Sequence, residues 1–126
     1  GPGKFRGGLG SRKEYEILYP ATLNTNVDRM KCPPWGVQGG KPARSGSVTV
    51  NKVSGETETM GKAKNYKLFP GDRVILETGG GGGWGSPGER DVEMIQRDLG
   101  RGYITAEAAI EDYGVRIAAG QVRRSD

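Results

Sequence analysis

The reactive side chains of this sequence are few, and they limit its chemistry before any fold is considered. The chain has no histidine and a single cysteine, Cys32. Zinc sites of the His/Cys kind therefore cannot be assembled from it, and imidazole is unavailable as a general base. Cys32 has no histidine to draw off its proton and reads as an inert thiol. Carboxylates could supply an oxygen-ligand site, yet none falls in the DxDxDG spacing of a calcium loop, so no metal is expected on this chain. What remains are cations set among glycines. Lys4 and Arg6 stand in GPGKFRGGLG beside Gly7 and Gly8, and Lys41 follows Gly39 and Gly40. Glycine lets backbone and cation approach an anion closely, which makes these residues candidate contacts to a ligand or phosphate. The competing reading is a surface loop with structural ion pairs.

A second set of residues reads as anchoring. Asp28 and Arg29 precede Pro33-Pro34-Trp35-Gly36, where Trp35 suits a wedge that fixes a loop or an interface. Gly79, Gly80, Gly81, Gly82 and Gly83 run into Trp84. A helix starting after such glycines can cradle an anion. No Gly-Lys-Ser/Thr follows them, however, and close backbone packing is the preferred reading.

These residues must be held by the elements around them. Alternation predicts a strand over 12–19 that Pro20 ends, a weaker one within 21–30, a shaped loop over 32–40 and a strand over 47–53. Runs over 66–69 and 73–78, joined by Pro70-Gly71-Asp72, resemble a hairpin. Asp91 is a good N-cap for a helix carrying Val92, Ile95 and Leu99, which Gly100 and Gly102 stop. Ser86 to Glu89 has capping-box spacing and allows an earlier start. A second helix begins near Thr105 and closes at Tyr113-Gly114. Its apolar face and that of the first helix should pack on the strands or on a companion chain. The polar end, 121–126, should fray. The expected fold class is α+β: five or six short, mostly antiparallel strands followed by a helical hairpin. The chain reads as one domain or domain fragment over 1–126, with strands and glycine loops in 1–90, the helical hairpin in 91–115 and a tail in 116–126.

Composition bounds the rest. Only 33% of the 126 residues are hydrophobic, while glycine supplies 23 positions and proline 7. A core this lean is expected to be completed by a partner. The net charge of +4 and pI near 9.3 are spread among interleaved charges of both signs, which describes a solvated mixed surface. One copy of KFRGG lacks the repetition of RNA-binding segments, so no nucleic-acid partner is expected. No run approaches the ~20 apolar residues of a membrane span, so no membrane partner is expected either. A lone thiol suits the cytoplasm.

The order of these segments is more specific than any one of them. GxGKFRGGLG, RKEYE, DR with PPWGxxGGKP, PGD, ETGGGGGWGSPxxR and DLGRGYITxEAAxxDYGV together resemble the C-terminal portion of hydantoinase B/oxoprolinase proteins, over nearly the whole chain and most weakly between Ser45 and Lys67. Members of that family are several times longer. The resemblance implies part of an ATP-dependent cyclic-amide hydrolase that is inactive alone. Its partners would be a hydantoinase A-type ATP-binding subunit and the remainder of a B-type subunit, in a hetero-oligomer. ATP with Mg would be bound mainly by a partner chain, with any divalent metal in the missing part of the B-type subunit. In the family scheme ATP phosphorylates the amide oxygen and water attacks the activated carbon. Ketone carboxylases of the acetone and acetophenone type share the chassis and give an alternative. A structural module between subunits is a third reading.

Overall fold

The alternating segments do form strands, but they are shorter than their patterns and pair differently from expectation. In the computed structural model, which describes residues 1–125, the chain makes two compact units. One comprises 10–33 and 44–80, and the other comprises 1–9, 34–43 and 81 onward. They interleave along the sequence.

The first unit carries β1 (Arg12–Glu16), β2 (Ala21–Leu23), β3 (Ser47–Asn51), β4 (Thr57–Met60), β5 (Tyr66–Leu68) and β6 (Arg73–Glu77). Four strands form an antiparallel sheet in the order β1-β6-β3-β4, while β2 pairs with β5. Register places Val50 opposite Val74 and Val48 opposite Leu76. Val48, Val50, Val74 and Leu68 are buried, with Ile17, Leu23, Met30, Met60, Tyr66 and Leu76 packed around them. Each buried valine or leucine contributes on the order of 2 kcal/mol relative to exposure.

The expected hairpin between β5 and β6 is not formed, because β6 pairs with β1 and β3 instead. The reason lies in the turn. Gly71, at φ 92°, donates its N–H to Ile17 O. The buried Asp72 carboxylate accepts from Phe69 N at 2.8 Å and Val53 N at 3.0 Å. Those two bonds, Phe69's first, hold its pKa below the usual aspartate value. They also turn the chain away from β5. β1 ends at Glu16, where Ile17 N turns to Asp72 O, and Leu18 and Tyr19 are exposed beyond it. β4, which apolar alternation does not mark, is held by its pairing to β3 across a tight turn with Gly55 at φ 93°.

The second unit contains a short 3₁₀ turn (Pro87–Glu89), α1 (Val92–Gly100), α2 (Ala106–Tyr113), β7 (Val115–Ala118) and β8 (Gln121–Arg124). Asp91 caps α1, accepting from Glu93 N and Met94 N at 2.8 and 3.3 Å. Thr105 caps α2 through Ala108 N at 3.2 Å, and Gly114 closes that helix at φ 62°. The capping-box segment makes the 3₁₀ turn rather than an earlier α-helix start, and Ser86 forms no side-chain cap.

The polar end is not frayed over the described residues. β8 pairs with β7 through a turn at Ala119 and Gly120, and Val122 is buried. Ile95, Ala109, Tyr113, Val115 and Val122 form the core, with Val92, Leu99, Ile104 and Ile117 against it. The helices are thus covered by a hairpin of the same chain. Ile110 of α2 is half exposed.

Candidate functional site

Three glycine-rich segments that are distant in sequence lie side by side in the second unit. Phe5 and Trp84 exchange backbone hydrogen bonds, with Phe5 N to Trp84 O at 3.0 Å and Trp84 N to Phe5 O at 2.9 Å. On the other side of the Gly81–Gly85 segment, Val37 N reaches Gly83 O and Gly85 N reaches Val37 O, both at 2.9 Å. Lys41 N bonds Pro2 O at 2.8 Å, Gly83 N bonds Lys41 O at 2.9 Å, and Gly81 N bonds Gly8 O at 3.0 Å.

These bonds bring backbones so close that side chains are excluded. A Cβ added at Gly82 would meet the Trp35 carbonyl. At Gly83 it would meet Pro2, at Gly40 Gly83, at Gly36 Gly40 and at Gly7 Gly81, each nearer than 3.0 Å to a carbonyl oxygen. The glycines are therefore a lattice in which one main chain fills the space another leaves. Gly8 faces open space. Gly39 sits at φ 88° beside Gln38 at φ 52°, in a turn closed by Gly40 N to Val37 O at 3.0 Å. Gly81 approaches Gly8 N at 3.3 Å from its Cβ position.

Arg6 links this lattice to α1. Its Nε donates to Asp98 Oδ2 at 2.8 Å, its Nη2 to Oδ1 at 3.4 Å and its Nη1 to Gly7 O at 3.1 Å. Asp98 is 1% exposed and also receives Arg90 Nη2 at 2.7 Å. Arg90, itself 4% exposed, donates Nη1 to Lys4 O at 3.1 Å. Its carbonyl in turn accepts from Arg124 Nη2. Two guanidinium groups thus share one buried carboxylate.

Burial opposes ionisation of Asp98. The hydrogen bond and charge of Arg6, followed by those of Arg90, outweigh it and hold the pKa below the usual carboxylate value. The same hydrogen bond raises the pKa of Arg6. Arg6 lies 5.2 Å from the Tyr103 ring and Arg90 lies 6.0 Å from that of Tyr113, within cation–π range. Burial pushes the Tyr113 phenol up.

The other two candidate cations meet carboxylates as well. Lys4 Nζ lies 3.3 Å from Glu89, and Lys41 Nζ lies 2.9 Å from Asp112. The structure therefore gathers Lys4, Arg6, Gly7, Gly8, Gly39, Gly40 and Lys41 in one unit, together with Trp35, Gly81, Gly82, Gly83 and Trp84. Asp28, Arg29, Gly79 and Gly80 belong to the other unit. There Asp28 and Arg29 line an open concavity of about 580 Å³ with Met30, Cys32 and Lys62. A Cβ on Gly79 would meet the Arg44 carbonyl. The glycine run does not open α1, since the Asp91 carboxylate occupies the helix N-terminus.

Sequence reasoning missed Asp98 and Arg90. The signal was present: Asp98 shares the α1 face of Ile95, three residues apart, and a carboxylate on a buried face requires a cation. Among the described residues, no group of three or more His, Cys, Asp and Glu gathers to hold a metal ion. No described helix is long and apolar enough to cross a membrane.

Comparison with known proteins places this architecture. The Hydantoinase B/oxoprolinase family model matches residues 1–87. An uncharacterized protein of Methanocaldococcus jannaschii is 42% identical over 117 residues, which cover 93% of this chain and 21% of that protein. The B-type subunit of a putative D-/L-hydantoinase from a Pseudomonas species is 35% identical over 118 residues, covering 92% of this chain and 20% of that one. The crystal structure of the ATP-dependent caprolactamase from Pseudomonas jessenii superposes with a TM-score of 0.79 at 30% identity, over 94% of this chain and 21% of that chain. The chain thus spans about a fifth of the length of these relatives. By the family match and by the likeness in sequence and in fold, the chain belongs to the hydantoinase B/oxoprolinase family.

Proposed function

We propose that this chain is the C-terminal frame of a B-type subunit in an ATP-dependent cyclic-amide hydrolase, and that it acts within the assembly and not alone. The observation that carries this reading is the use to which its charged groups are put. Lys4, Arg6, Lys41 and Arg90 each meet a carboxylate of the same unit, through Glu89, Asp98, Asp112 and Asp98 respectively. Groups held this way serve to position a backbone lattice.

Kinship supplies the reaction class. One relative is named a hydantoinase subunit and another an ATP-dependent caprolactamase. A lactam is a poor electrophile. Transfer of the γ-phosphoryl group of ATP to the amide oxygen releases ADP and opens the imidate carbon to water. The adduct collapses by breaking the ring C–N bond, its nitrogen leaving protonated, to an acyl phosphate that a second water cleaves to carboxylate and phosphate. In this reading an A-type companion binds ATP with its Mg ion. The remainder of the B-type subunit supplies any divalent metal, and the hetero-oligomer works in the cytoplasm.

The test is an assay of the assembly purified with its companion chains, offered hydantoin, 5-oxoproline, caprolactam, and acetophenone with bicarbonate. ADP release that requires one of the cyclic amides supports the proposal. ADP release only with the ketone would reassign the assembly to carboxylation, and no ATP use with any of them would refute it.

A further inference from the structure

The glycine lattice leaves one apolar row facing outward. Phe5 pairs with Trp84 in antiparallel register, and Val37 pairs with Trp84 in parallel register. Directly paired residues project from the same face of a sheet, so Phe5, Trp84 and Val37 stand side by side with Trp84 in the middle. The Phe5 and Trp84 rings are 5.7 Å apart at 41°. Yet the three side chains are 54%, 48% and 49% exposed. Their backbones are pinned by hydrogen bonds on both sides of the Gly81–Gly85 segment. Covering the row would therefore order little more than side-chain rotors, and an aromatic cluster on a rigid base has the anatomy of an interface centre.

We infer that this row is the docking face for an apolar surface of the remainder of the B-type polypeptide. The length of the relatives argues for that occupant. In the caprolactamase chain that shares this fold, the matched region is only 21% of the polypeptide. About four-fifths of such a chain lies outside this fold and needs a contact surface on it. The inference rests on the proposed B-type assembly and assigns its contact to Phe5, Val37 and Trp84.

Hydroxyl-radical footprinting with mass spectrometry tests it, on the native assembly and on the 126-residue chain alone. In the assembly, Phe5, Val37 and Trp84 should be oxidised at least fivefold more slowly than in the isolated chain. Tyr19, 78% exposed in the other unit, supplies an internal measure of radical dose. Equal rates at the row in the two samples would overturn the inference, as would protection that grows with concentration of the isolated chain, which would mean a second copy. A companion variant, W84S, should lose co-purification with the longer polypeptide while its circular dichroism is kept. Retention of the longer polypeptide by folded W84S also contradicts the inference, and if W84S does not fold, V37S is read in its place. The mass and cyclic-amide activity of the assembly report separately on the underlying reading.

Discussion

At the scale of single residues, the glycines of the lattice differ sharply in what they tolerate. A Cβ on Gly82 points into the Trp35 carbonyl, whereas one on Gly8 meets nothing within 4 Å. Gly82→Ala must therefore push two main chains apart and should destabilise by more than ~3 kcal/mol. Gly8→Ala should be neutral or stabilise by about 0.5 kcal/mol through the unfolded chain. Urea titration of the two variants measures the contrast. The Asp98 pair makes a second prediction. Removing its charge leaves the buried Arg90 and the partly exposed Arg6 facing a neutral amide, so Asp98→Asn should cost ~3 kcal/mol. Because its native pKa is lowered, the stabilisation is fully present well above the unfolded carboxyl value of ~3.9. It fades as the pH falls below that value and through the native pKa. Thermal melts between pH 7 and pH 3 should show a slope that is shallower in Asp98→Asn; equal slopes would remove Asp98 from the account.

At the scale of elements, capping should behave locally. Thr105→Ala removes the acceptor for Ala108 N and should cost about 1 kcal/mol by thermal melt. Both helices were legible in the sequence, because a cap, a 3.6-residue apolar period and a closing glycine agree there. The hairpin β7–β8 was not. It offers one buried residue per short strand, Val115 and Val122, among arginines that look like a solvated tail. Val122→Ser should therefore destabilise more than Thr105→Ala, by roughly 2 kcal/mol, although it sits four residues from the end of the sequence. The pairing of β6 was also hidden. Pro70-Gly71 signals a turn, but where the turn leads is decided by the Asp72 carboxylate and by Ile17, contacts that no local pattern contains.

At the scale of the whole molecule, the candidate site was half readable. Glycines crowded around Lys4, Arg6 and Lys41 announce close approach, and close approach is what Gly7, Gly40, Gly82 and Gly83 make. Sequence spacing could not say that the thing approached is the chain's own backbone, since the three segments are brought together only by folding. Nor could it show that Asp98 and Glu89 meet the cations that suggested an anion site. The lean composition has a physical reading too. A lattice of main chain satisfies its hydrogen bonds without a large apolar core, and it leaves Phe5, Val37 and Trp84 outside. We propose that ring opening is driven by ATP in an assembly that contains this chain. The direct measurement is the ratio of ADP formed to amide bonds cleaved, for the purified assembly and for this chain alone with the same cyclic amide. One ADP per ring opened by the assembly, with no turnover by the chain alone, is the predicted result; ring opening by the isolated chain, or by the assembly without ATP, would contradict it.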